Sequence, residues 1–146
     1  ASKADTASRS STTFADISGL SVTITPSSAS SRILLFAAVN IGAVAGTRAF
    51  LRLLRGSTAI SQGDSAGSRS RIQNAASGAD AAGDDPMTSV SLMAVDAPAS
   101  TSAQTYKVSW AGSSSDAIHL NRTSGDPDSV ASPRGASILV AMEIGA

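Results

Sequence analysis

One histidine, ten aspartates and one glutamate, beside two lysines and one tyrosine, make up the side-chain acid–base repertoire of a 146-residue chain that has no cysteine. His119, one of 28 serines and an aspartate would compose a nucleophilic triad, in which the imidazole takes the hydroxyl proton. His119, however, sits inside the alternating segment Ala117-Ile118-His119-Leu120-Asn121-Arg122 rather than in a loop. A structural or surface histidine is expected, with no nucleophile elbow. The acid pairs Asp84/Asp85 and Asp126/Asp128 offer hard oxygen ligands that suit calcium. Each pair lies beside proline or glycine, where aspartate forms turns, so a turn is the expected role and calcium the alternative. Arg48, Arg52 and Arg55 have the charge to meet phosphate. Their expected role is a solvated face, or pairing with acids on a neighbouring chain. Gly42 and Gly46 lack the Lys-Ser/Thr that completes a phosphate loop. A glycosidase needs two carboxylates across a cleft, and the one glutamate, Glu143, stands at the end of the last apolar segment. Neither enzymatic chemistry nor a metal or other cofactor is expected.

The elements that would position these groups are strands. Residues 12–17 and the alternating Leu20-Ser21-Val22-Thr23-Ile24 read as two short strands separated by Ser18-Gly19. Residues 32–41 form the most apolar stretch and suit a central strand buried on both faces, ended by the Gly42–Gly46 breaker. Strand signals follow at 47–55, 58–60, 88–95, 104–110, 117–122 and 136–144, with turn residues between most of them. The last of these is apolar enough to belong inside a sheet, because an exposed apolar edge invites aggregation. Residues 1–11 carry no large apolar side chain and read as an extended N-terminal arm, ordered only on a partner. Within 61–87 only Ile72 and Met87 are large and apolar, so an exposed insertion rather than a strand pair is expected.

Composition favours the same class. Serine, alanine, glycine and threonine exceed half of the chain, whereas there is one Glu and only two Lys. Surface helices draw on the scarce residues and strands on the β-branched ones. The expected fold is an all-β antiparallel sandwich, jelly-roll-like, of eight or nine strands over residues 12–146. Leu, Ile, Val and Phe number 29. At roughly 2 kcal/mol per fully buried large apolar side chain, that core leaves a lone copy little surplus over chain entropy. Eleven basic and eleven acidic residues cancel, so net charge does not oppose self-association. A homotrimer is expected, its seam using Phe50, Tyr106 or Trp110, with Arg69 and Arg71 anchoring the insertion through acids such as Asp84 or Asp85. Zero net charge counts against nucleic acid, and no apolar run reaches membrane-spanning length.

Several segments, taken in order, carry a resemblance: Thr12–Pro26, Ser30–Leu35, Phe50–Ile60, Asp96-Ala97-Pro98, Thr105-Tyr106-Lys107-Val108, Leu120-Asn121-Arg122 and Ser137–Ile144. Together they resemble a family of tailed-bacteriophage virion proteins, often described as tail-fibre or structural proteins. The resemblance spans roughly residues 12–144. It implies a β-rich virion component without catalytic residues. More loosely, the strand layout is similar to the trimeric jelly rolls of tumour-necrosis-factor-like proteins. The 61–87 segment departs from the family in its excess of Ala, Gly and Asp, and there is no long fibrous stalk. Ala1 fits removal of an initiator methionine, which suits a complete small gene product. The expected role is therefore a head decoration protein in the virion, bound to the major capsid protein. A tail-fibre or receptor-binding tip subunit is the alternative.

Overall fold

The structure, a computed structural model, describes residues 1–78 and 87–145. Eleven strands and no helix are formed by the described residues. They are β1 (Ser2–Lys3), β2 (Ala7–Arg9), β3 (Ala15–Ile24), β4 (Arg32–Ala43), β5 (Arg48–Arg55), β6 (Thr58–Ile60), β7 (Asn74–Ser77), β8 (Met87–Asp96), β9 (Gln104–Gly112), β10 (Ile118–Leu120) and β11 (Ser137–Ile144).

Every pairing is antiparallel. In the first sheet β4 is flanked on one side by β8, from Ile33↔Asp96 to Gly42↔Met87. On its other side β11 pairs with residues 32–38 and β10 with 41–43. β1 then pairs with β11, and β2 with β10. The second sheet places β9 between β3 and β5. The far side of β5 carries β6 along 53–55 and β7 along 48–51. The fold is thus an all-β antiparallel sandwich.

The core lies between the sheets because each strand sends alternate side chains inward. β4 contributes Ile33, Leu35, Ala37, Val39 and Ile41, β5 Ala49, Leu51 and Leu53, and β9 Tyr106, Val108 and Trp110. Ile17 and Leu20 are three residues apart, an odd spacing, yet both are buried. A register shift between Asp16 and Ser21 makes this possible, with Gly19 at φ 81° taking the left-handed conformation of the bulge. That bulge joins the two expected short strands into one.

Three expectations need correction. The N-terminal arm is stitched into the sheet of its own chain. Ala1 exchanges both backbone bonds with Leu139, at 2.8 and 2.9 Å. Lys3 is buried, its ammonium held by Asp5 at 2.6 Å. Backbone pairing and a long aliphatic stem seat this segment, so a search for large apolar side chains passes over it. The insertion likewise contributes β7, and Ala76 enters the core. Just before and within β7, the amide of Gln73 donates to Met93 O at 2.8 Å and that of Asn74 to Ser91 O at 2.9 Å. These side chains bridge from the second sheet to the free edge of β8. Finally, β4 is central but covered on one face only: Phe36 remains exposed on the other.

Candidate functional site

Ile118 and Leu120 turn into the core, so His119 between them faces the opposite side of β10. Register places it across from Ser8 on β2 and Gly42 on β4. The Ser8 hydroxyl is 2.9 Å from His119 Nδ1, and Arg122 Nη2 is 2.7 Å from the same nitrogen. A guanidinium only donates, so Nδ1 is the acceptor and the ring proton sits on Nε2. The lone pair that a serine nucleophile would need is therefore engaged by a cation, and the ring is buried. Arg122 also reaches Asp126 at 3.6 Å, which Arg134 meets at 2.9 Å. The cluster ties the loop after β10 to the N-terminal segment.

The other chemical candidates disperse. The string Gly63-Asp64-Ser65-Ala66-Gly67 does match G-x-S-x-G. It lies in an exposed loop with no helix after it, whereas a nucleophile elbow requires a strand–turn–helix setting. Asp126 is taken up by two arginines, and among the described residues no group of three or more His, Cys, Asp or Glu is placed to hold a metal. Asp84 and Asp85 lie outside the described residues. The anchoring of Arg69 and Arg71 through them is therefore outside the description too. Both arginines are exposed and bond carbonyls of their own loop, Arg69 to Ala66 and Arg71 to Gly63. Glu143 accepts from Ser27 Oγ and N at 2.6 and 2.8 Å. Those bonds hold its carboxyl below the usual range, the wrong direction for a general acid.

Arg48, Arg52 and Arg55 do not form one row. Arg52 stacks over the Phe14 ring, 3.9 Å from its centroid, and bonds Ser109. Arg55, of opposite parity, pairs with Asp96 of its own chain at 2.8 Å. The seam candidates Tyr106 and Trp110 are 0% and 4% exposed: their alternating face is the core of their own chain. Phe50 is half-buried on the outer face of β5.

The Tyr106 hydroxyl donates to Asp96 at 2.7 Å. Burial, reinforced by that carboxylate, pushes the phenol far above its usual range. Unfolding lets it ionise near pH 10, so the folded state holds the extra proton above that value. Stability is expected to be full below about pH 10 and to fall as pH rises beyond it. Tyr106 is the only tyrosine, so absorbance reads it alone. Tyrosinate should appear only together with loss of the native circular dichroism. A signal at about pH 10 from folded protein would contradict this.

No protein-family model matches the chain, and no curated protein matches it.

What the surface does display is an apolar face. β11 exposes Ile138, Val140, Met142 and Ile144, β4 Phe36, and β8 Met93 and Val95. Register aligns Val140, Phe36 and Met93 in one row, and Met142, Leu34 and Val95 in the next. Met93 is 64% and Val95 55% exposed, Met142 54%. Those seven side chains open on the order of 600 Å² of apolar surface, the upper end of what monomers leave uncovered. The charged side chain that these strands direct to the same face is Arg32, in the end row with Ile144.

Proposed function

We propose that this chain is a non-enzymatic structural protein of a tailed-bacteriophage virion, a homotrimeric decoration protein that binds the head shell and braces it. The observation that supports the reading best is the broad, nearly uncharged apolar sheet face on a sandwich in which His119, Arg122, Asp126, Asp96 and Glu143 are engaged in contacts within the fold. Binding proteins expose such faces, whereas enzymes converge polar groups in a cleft. The ordered segments that resemble virion proteins add the phage context, and the loops at the sandwich rim are the surfaces left for the shell.

Image reconstruction of particles carrying the protein tests this. Many copies spread over the head are expected. A few copies at the tail would assign it to host attachment instead, and native particles that lack the protein would overturn the reading.

A further inference from the structure

We infer that the outer face of β11, β4 and β8 is where copies of this chain pack against one another. The inference deepens, and rests on, the reading of the chain as an assembled structural protein. It replaces Tyr106 and Trp110, which the fold buries, with Phe36, Met93, Val95, Val140 and Met142.

Four observations favour a second copy as the occupant. The first is area: on the order of 600 Å² of apolar side chain, widened by its polar rim, approaches the roughly 800 Å² that each partner gives to a stable interface. The second is charge. Another copy brings the same face, with one guanidinium at the edge, so association desolvates almost no ions. A nucleic acid or an anionic surface would find only Arg32 to meet it. The third is that both outer edges of this sheet are partly engaged within the chain. Gln73 and Asn74 use two carbonyls on the edge of β8, and Ala1 and β1 pair with residues 137–139 of β11. The face, by contrast, is covered by nothing in its own chain. The fourth is sequence pattern. β4 and β11 are apolar at both parities, the signature of strands covered on both sides, and one chain covers one side.

Light scattering at tens of micromolar tests the inference. The wild-type chain is expected at a multiple of 14.5 kDa. Met93→Lys/Met142→Lys should run at 14.5 kDa with native circular dichroism. Val130→Lys, on a fully exposed apolar residue of the 121–136 loop and outside the three strands, should keep the wild-type mass. Should the double variant fail to fold, Met142→Cys supplies a second measurement, because the chain has no cysteine of its own. Oxidation or a short thiol cross-linker should join Met142→Cys copies but not Val130→Cys copies. A monomeric wild type, or a double variant of wild-type mass, would overturn the inference, as would cross-linking no better than the Val130→Cys control. A dimer would remove the trimer from the functional reading and leave this face as the interface. Particles lacking the protein would sink the virion reading without touching the self-association result. A monomeric wild type whose attachment to particles is lost in Met93→Lys/Met142→Lys would assign the face to the shell and reject it as a seam.

Discussion

Asn121→Ala is expected to lower folding stability by about 3–5 kcal/mol, a large share of the roughly 5–15 kcal/mol typical of a domain. Asn121 is fully buried at the end of β10, and each of its polar groups has a partner. Its side-chain amide donates to Lys3 O at 2.7 Å and to Asp5 O at 3.0 Å. Its Oδ1 accepts from Ser137 Oγ at 2.7 Å, and that hydroxyl in turn accepts from Asn40 N at 3.0 Å. The backbone bonds Asn40 O and Gly135 N. One residue therefore joins the N-terminal segment, β4, the long loop and β11. Alanine would leave the Lys3 and Asp5 carbonyls and the Ser137 hydroxyl short of partners, at about 1–3 kcal/mol for each buried group. It would also hold φ at 58°, a conformation asparagine tolerates better than alanine. Urea denaturation measures the loss. Asn121→Gly removes the backbone strain but not the missing bonds, so it should recover only about 1 kcal/mol. A midpoint for Asn121→Ala within error of wild type would contradict this account.

Gly42→Ala is expected to cost about 3 kcal/mol, at the upper end of overpacking penalties. Gly42 lies within β4, between Met87 on β8 and His119 on β10, so the expected strand breaker is part of the strand. A Cβ there would stand 2.3 Å from Arg122 O, 2.9 Å from Thr123 C and 3.0 Å from Ser124 N. All three are backbone atoms of the loop that follows β10, and no rotamer change can move them away. The loop would have to lift, taking Thr123 from its buried site and Arg122 from His119. Thermal unfolding measures the cost, and hydrogen exchange should show the added opening first in residues 121–126. A variant as stable as wild type, with unchanged exchange there, would mean that the loop yields freely.

Alternation was legible wherever a strand buried one face. Leu51 and Leu53, Tyr106 and Val108, Ile118 and Leu120 all point inward as their period of two requires. The all-β antiparallel sandwich follows from that pattern, the turn residues and the scarcity of Glu and Lys. The insertion, the arm and the bulge were less legible. β7 is held by Ala76 and two side-chain amides, and β1 and β2 by backbone bonds, so none carries an apolar period. The place of His119 inside a strand was readable, but its contact with Ser8, 111 residues away, was not. Nor was Asn121, whose amide reaches 118 residues back to Lys3. The apolar face lay in plain view as Ile138, Val140, Met142 and Ile144 alternating with Leu139 and Ala141. Tertiary structure decided which of those two sets is left open. The reason is one of range: side-chain alternation is a property of neighbouring residues, whereas covering a face or satisfying a buried amide depends on segments that only folding brings together.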